Sequence, residues 1–340
     1  MLEYYPWSTK AFNEMLNEYR NNQLPILDLE LGGECNCNCL YCDSPNRSVN
    51  IEYSTESIIK ILETGHFKWL FVCGLGEPTF ERNLEVLELL LSVCDSYQIK
   101  CSIFTNALNI TPQIRQFIDK GILHILFKYD SFDDAVNNEI IGRKLDIGYN
   151  EIFSQMQECV ITHGDYTNIA ASIVPTVYNE NILGALAKKC MDSNIFPLIG
   201  ELEVAGKAAE KYEKLVPARE KLLAAKLSVD QIFCGQYRIP NCPSTIGSIH
   251  IAANGDITVD ALSGLSCSWF WLETPNIISL GNINQGFDYY EVVDKIFDYR
   301  KKVFHNVHSL EKPYVDSSFG GCGGNIRELL VIYESIMEGN

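Results

Sequence analysis

Hydrophobic positions along the chain follow two rhythms. Short apolar runs, the pattern of strands buried on both faces, lie at 26–31, 69–73, 100–105, 122–128, 169–177 and 197–203. Between them apolar residues recur at steps of three and four, which predicts amphipathic helices over 55–64, 84–95, 112–120, 152–163 and 182–193. Strand and helix in alternation imply βα units and a parallel sheet, open or curled. Six such units fall short of the eight that close a full barrel. The expected fold class is therefore α/β, a partial (β/α)6 barrel of TIM-like type.

After residue 205 the pattern changes. "AGKAAEKYEKLVPAREKLLAAK" reads as a helical connector. "SIHIAANGDITV" reads as a hairpin with Asn254 and Gly255 at its turn, and helices follow at 290–304 and 326–337. These features divide the chain into a core, 1–210, and a smaller α+β region, 211–340.

Composition narrows the class further. The 340 residues are 46% apolar and 21% charged, as in globular proteins. No run approaches the roughly 18 apolar residues of a membrane span; the stretch 84–93 is broken by Glu85 and Glu88. The N-terminus lacks the basic start and apolar core of an export signal, so a cytoplasmic location is expected. A net charge of −17 disfavours nucleic acid as the main partner. It speaks first to a soluble acidic surface and would suit a neutral or cationic substrate. Thirteen cysteines without an export signal point to metal rather than disulfides.

The densest cysteine cluster is "GGECNCNCLYC", residues 32–42. Cys35, Cys39 and Cys42 stand at C-x3-C-x2-C spacing behind two glycines. Three thiolates so placed can wrap one face of a cubic iron–sulfur cluster and leave one iron open to a small molecule. A closed zinc site wants four ligands, usually two C-x2-C pairs, and only one is present. Cys37 sits one residue from each neighbour; on an extended loop its side chain points away from theirs, which makes it a bystander. A zinc knuckle or redox C-x2-C is the alternative for the loop, and a non-catalytic iron–sulfur or zinc scaffold the alternative for the protein.

With Tyr41 just before the last cysteine, the loop resembles the signature of the radical S-adenosylmethionine (radical SAM) superfamily. The resemblance implies a [4Fe–4S] cluster on Cys35, Cys39 and Cys42 whose open iron chelates S-adenosylmethionine, with Tyr41 against the adenine. It also implies reductive cleavage of that cofactor to methionine and a 5′-deoxyadenosyl radical, which abstracts a substrate hydrogen. The electron would come from an external donor such as flavodoxin or ferredoxin.

Ligands of α/β folds gather at the carboxyl ends of strands, and the motifs there agree. "CGLGEPTF" is similar to the family's Gly-Gly-Glu-Pro, with Gly74, Gly76, Glu77 and Thr79 placed to meet the methionine moiety. "FTNA" resembles Thr-Asn-Gly, giving Thr105 and Asn106, with Ala107 in place of glycine. "FKYDS" offers Lys128, Asp130 and Ser131 to the ribose or carboxylate. Glu201 and Glu203 alternate with apolar residues and are expected to face the lumen, where a carboxylate is costly unless used. The stretch Gly206, Lys207, Ala208 resembles a Gly-Arg-Ala turn, with lysine for arginine.

In the second region, "CPSTIGSIHIAANGDITVD", "SLGNI" and "FGGCGG" resemble the SPASM/twitch extension of this superfamily. The resemblance implies one auxiliary [4Fe–4S] cluster on Cys242, Cys267 and Cys322, its fourth ligand Cys234, Asp260 or the substrate. Asp260 stands where relatives carry a cysteine. Buried, unliganded thiols are the alternative. Cys94, Cys101, Cys159 and Cys190 are expected in the core, whereas Cys73, beside the glycine motif, is placed to give a hydrogen atom to a substrate radical. His305 and His308 read as surface residues.

The first strand begins at residue 26, which leaves no room before it for the leader-binding domain common in peptide-modifying relatives. The expected substrate is a small molecule, such as a sugar, aminocyclitol or nucleoside, that is oxidised, epimerised or rearranged in natural-product or cofactor biosynthesis. Modification of a ribosomal peptide is the alternative.

Overall fold

The structure, a computed structural model, describes residues 2–42, 51–72, 75–200, 202, 206–235, 247–258 and 279–308. All six predicted core strands are present: β2 (Ile26–Leu29), β3 (Trp69–Val72), β4 (Lys100–Thr105), β5 (Leu123–Lys128), β8 (Ile169–Ile173) and β9 (Phe196–Ile199). They pair in that order, all parallel. The connecting helices are α2 (Thr55–Glu63), α3 (Leu84–Tyr97), α4 (Pro112–Asp119), α5 (Asp134–Ile140), α6 (Tyr149–Glu158) and α7 (Leu183–Asp192). Their starts are written in the sequence. Ser54, Thr111 and Asp133 each accept a backbone N–H of the first helical turn, and Pro112 opens α4. Two further helices, α8 (Gly206–Leu215) and α9 (Arg219–Ile232), lie where the connector was predicted.

Three elements differ from the sequence reading. Helix α1 (Thr9–Arg20) buries Ala11, Met15 and Tyr19 and packs Phe12 and Leu16 against the core, an amphipathic stripe that the sequence reading passed over. Helix α5 buries only Asn137 and Ile140. The helix expected over 152–163 begins earlier, at Tyr149, and stops at Glu158. Asn168 ends it by donating to the Cys159 carbonyl (3.1 Å) and accepting from Ile161 N–H (2.7 Å). The chain then turns into β6 (Thr162–His163) and β7 (Tyr166–Thr167), and β7 pairs with β1 (Glu3–Tyr4).

Register shows what lies on each face. Asp28, Phe71, Ser102 and His124 are paired in one row and so share a face. Cys101, one residue on, faces the Cys94 thiol of α3 instead. The row therefore lies on the side away from α3, where the N-terminal segment packs. Tyr4 shares a hydrogen bond with Ser102 (3.0 Å), and Tyr5 stacks on His124 at 5.5 Å between centroids. Buried among these rings, His124 is held neutral, its pKa pushed down to about 3. As expected, Cys94, Cys101, Cys159 and Cys190 are core residues.

The predicted hairpin is β10 (Ser248–Ile251) and β11 (Asp256–Thr258). It extends the core sheet, with β10 lying parallel to β2 in register from Ser248 against Ile26 to Ile251 against Leu29. A short β12 (Gly281–Asn282) completes nine strands. Helix α10 (Tyr289–His308) is tied to the N-terminal side of β2 by the Tyr289 hydroxyl, which accepts from Leu24 N–H (2.8 Å). Among the described residues no helix is long and apolar enough to cross a membrane.

Candidate functional site

Parallel strands place their carboxyl ends on one rim, and the sequence-predicted residues meet there. The centre of the arrangement is Glu77, in the loop after β3. Its Oε1 accepts from Thr105 Oγ1 (2.6 Å), Thr79 Oγ1 (2.8 Å) and Thr79 N–H (2.9 Å), and its Oε2 from Asn106 N–H (2.7 Å). The carboxylate thus joins the ends of β3 and β4. It is 3% exposed; burial raises its pKa above the ordinary range, against the pull of these four donors. Glutamine at 77 offers one carbonyl where two oxygens now serve two backbone N–H groups. Glu77→Gln is expected to cost about 1–3 kcal/mol, read as a lower denaturation midpoint; an unchanged midpoint would contradict this geometry.

The same loop holds the cysteine loop. Glu77 N–H donates to the Glu34 carbonyl (2.8 Å), and the two backbones approach so closely that a Cβ on Gly76 would lie 2.0 Å from the Gly32 oxygen. Asn83 donates to the Glu77 carbonyl (2.9 Å), and Arg82 pairs with Glu34. On the other side, Asn38 and Leu40 N–H donate to the carbonyls of Ile141 and Ile140, 2.8 Å each, and Lys207 N–H to the Cys42 carbonyl (2.9 Å). Three segments, the loop after β3, the end of α5 and the start of α8, thus converge on residues 34–42.

Within the loop, Cys35 is exposed and Cys39 and Cys42 are half-buried, all as free thiols. Cys37 does not point away from Cys35, as an extended loop would require. The chain turns at Asn36, whose side chain accepts from Asn106 Nδ2 (2.6 Å) and whose carbonyl takes the Arg143 guanidinium. Cys37 N–H then donates to Cys35 Sγ (3.3 Å). A hydrogen bond from the Cys37 thiol lowers the Cys35 pKa, while burial pushes Cys39 up to about 12. Among the described residues no three His, Cys, Asp or Glu side chains are drawn together tightly enough for a single ion. Three soft thiol donors spread along one loop fit instead a cluster of several irons.

Beyond the cysteines, Lys128 Nζ lies 4.8 Å over the Tyr41 ring and 3.6 Å from Asp130 Oδ1. Asp130 also accepts from Val174 N–H (2.8 Å) and the Tyr41 hydroxyl. This ties the end of the cysteine loop to β5 and to the turn after β8. Ser131 is fully buried, its hydroxyl accepting from Asp133 N–H (3.0 Å) at the start of α5. Ala107 stands at φ +57°, the left-handed conformation that glycine takes freely; this accounts for the glycine that the resembled motif carries there. Cys234 is exposed just past α9. Cys73, Gly74, Glu201, Glu203, Cys242, Asp260, Cys267 and Cys322 lie outside the described residues.

Sequence reasoning passed over one polar group. His250 of β10 sits between Asp28 of β2 and Glu30 just past its end, Nδ1 3.7 Å from Asp28 and Nε2 3.8 Å from Glu30, all fully or nearly fully buried. Glu30 Oε2 also accepts from Ala253 N–H (2.9 Å). The signal was available only as acidic residues inside an apolar strand, where an uncompensated charge is costly.

A partial parallel barrel whose strand-end rim carries a three-thiol loop defines a class: enzymes that hold an open iron–sulfur cluster at the mouth of the sheet. Residues 29–149 match the family model described as the Radical SAM superfamily, so this stretch carries the family's likeness. The cofactors of that family are a [4Fe–4S] cluster and S-adenosylmethionine. No curated protein sequence matches the chain. Solved structures do. Streptococcus suis SuiB bound to S-adenosylmethionine shares 18% identity over 94% of this chain and 78% of its own, with a TM-score of 0.59. SuiB bound to its precursor peptide SuiA shares 16% over 94% and 76%, TM-score 0.55. Native anSMEcpe with bound AdoMet and Cp18Cys peptide shares 13% over 92% and 97%, TM-score 0.56. These likenesses are of fold.

Proposed function

We propose that this radical SAM enzyme takes a hydrogen atom from a residue of a peptide. The observation that carries the substrate class is the likeness, over more than nine-tenths of the chain, to two proteins solved with peptides bound, SuiB with SuiA and anSMEcpe with Cp18Cys. This moves the expectation away from the sugar, aminocyclitol or nucleoside suggested by the position of the first strand.

In this reading Cys35, Cys39 and Cys42 hold the cluster. With S-adenosylmethionine bound to it, the cluster supplies one-electron cleavage of the sulfonium and hence the hydrogen-abstracting radical. The chain's residues supply position. Glu77, Thr79, Thr105 and Asn106 lock the loops beside the cysteines, with Gly76 and Gly74 leaving room for the methionine moiety. Tyr41, held between Asp130 and Lys128, gives an aromatic face for the adenine. Glu201, Glu203 and Cys73 are the substrate-side groups, Cys73 as a hydrogen-atom donor. A flavodoxin or ferredoxin delivers the electron.

The test begins with anaerobic reconstitution. Reductant and S-adenosylmethionine should yield 5′-deoxyadenosine; iron uptake without that product sinks the enzymatic reading. A perdeuterated cell extract, split into peptide and small-metabolite fractions, then tests the substrate. Deuterium should enter 5′-deoxyadenosine from the peptide fraction and cease to do so after peptidase treatment. Transfer from the small-metabolite fraction alone overturns the peptide reading.

The auxiliary cluster is part of the same proposal, resting on the resemblance to the SPASM/twitch extension, with Cys242, Cys267 and Cys322 as ligands and Cys234, Asp260 or the substrate as the fourth. The reconstituted chain should bind about eight irons, two cubes of four, falling to about four in a Cys242→Ala/Cys322→Ala variant. About four in both would remove the second cluster.

A further inference from the structure

The cysteine loop carries two cations to which no role has been given: Arg143, and Lys207 of the turn that resembles Gly-Arg-Ala. Arg143 follows α5, and its guanidinium donates to the Asn36 carbonyl, inside the Cys35–Cys39 span. Its delivery depends on Gly142, at φ +68°, where a Cβ would lie 2.5 Å from the Asn38 oxygen. Lys207 stands in the first turn of α8. Its N–H donates to the Cys42 carbonyl (2.9 Å), and its ammonium reaches the Asn38 side chain and carbonyl. A third cation, Lys128, lies beside Cys39 and over Tyr41. In a chain of net charge −17, three positive side chains thus border one short loop, and the positive end of α8 faces its last cysteine.

We propose that Arg143 and Lys207 are positioning residues of the cysteine loop that set the charge environment of its cluster and raise its reduction potential. The inference rests on the assignment of Cys35, Cys39 and Cys42 as the cluster ligands. Reduction by one electron adds a negative charge at the loop. Iron–sulfur potentials respond to net charge and to hydrogen bonding around the ligands, and fixed cations favour the reduced form. The acidic remainder of the chain works in the opposite direction. Both groups border solvent, so their influence is screened by salt and is strongest at low ionic strength.

The experiment is a potentiometric titration of the reconstituted full chain without S-adenosylmethionine, with titanium(III) citrate as reductant. The reduced fraction is read by electron paramagnetic resonance. Adding S-adenosylmethionine at the end identifies the relevant signal as the one it alters. Arg143→Gln and Lys207→Gln should keep wild-type iron content and each lower the reduced-to-oxidised ratio about threefold at the wild-type midpoint. The double variant should lower it about tenfold, which is about 59 mV for one electron. The charge-preserving Arg143→Lys and Lys207→Arg should stay within about twofold of wild type, and the shifts should shrink in high salt. Full iron content with an unmoved midpoint overturns the proposal. So does equal iron loss in the Lys/Arg and Gln variants, which would make the two residues mechanical clamps. A wild-type chain that takes up no iron overturns the ligand assignment instead, and the inference with it.

Discussion

Serine in place of Cys35, Cys39 or Cys42 is expected to leave the loop without iron and to cut 5′-deoxyadenosine formation on the order of 10³-fold or more, the scale of loss when a group acting as part of a unit is removed. A hydroxyl is a poor substitute for a thiolate toward iron–sulfur clusters. Among the described residues, Cys37 is the further thiol in the same loop. The structure places its thiol beside Cys35 and two asparagines. Its N–H serves Cys35 Sγ, and its sulfur lies 3.5 Å from Asn106 Nδ2 and 3.8 Å from Asn36 Oδ1. Cys37→Ser preserves a small hydrogen-bonding group there and should retain both iron and cleavage. Iron assays and product chromatography on the four variants decide the matter. Full iron and turnover in any of the first three, or their loss in Cys37→Ser, would show that the ligand set is misassigned.

The second large effect is expected from Gly76→Ala. Gly76 has φ +71°, which costs an L-residue roughly 1–2 kcal/mol. Its Cβ would meet the Gly32 oxygen at 2.0 Å and the Glu34 oxygen at 2.8 Å. Both obstacles are backbone, so neither can rotate aside. Relief requires the loop after β3 to retreat from the cysteine loop, and with it the Glu77 N–H bond to Glu34. The expected result is a loss of about 3 kcal/mol or more, at the severe end for single substitutions, together with poor iron loading. Chemical denaturation of the apoprotein and iron content of the reconstituted protein measure the two parts separately. Gly121→Ala is the control: its φ is +67°, but nothing lies within 4 Å of its Cβ, so it should cost only the backbone term. Equal midpoints for the two variants would mean that the loop contact adds nothing.

Much of the fold was legible because its signals are local. Buried strands between amphipathic helices announce parallel βα units, and all six core strands were found where the apolar runs lie. The cysteine loop was legible for the same reason: its spacing lies within eight residues. What failed to show were elements whose stability comes from packing. The end of α6 is set by the side chain of Asn168, ten residues farther on. The parallel pairing of β10 with β2 joins residues more than two hundred positions apart, and no local pattern encodes which strand a hairpin will join.

The sequence by itself determined the class of chemistry, because iron ligands and close-approach glycines are chosen for properties of single residues: a soft thiolate, a missing Cβ. Only the tertiary structure decided how the loop is held. Glu77 fastens β3 to β4 with both carboxylate oxygens, Gly76 lets two backbones touch, and Arg143 and Lys207 arrive from α5 and α8 to grip residues 36–42. These contacts join residues far apart in the chain, and their energies depend on distances of a few ångströms that the folded chain alone sets.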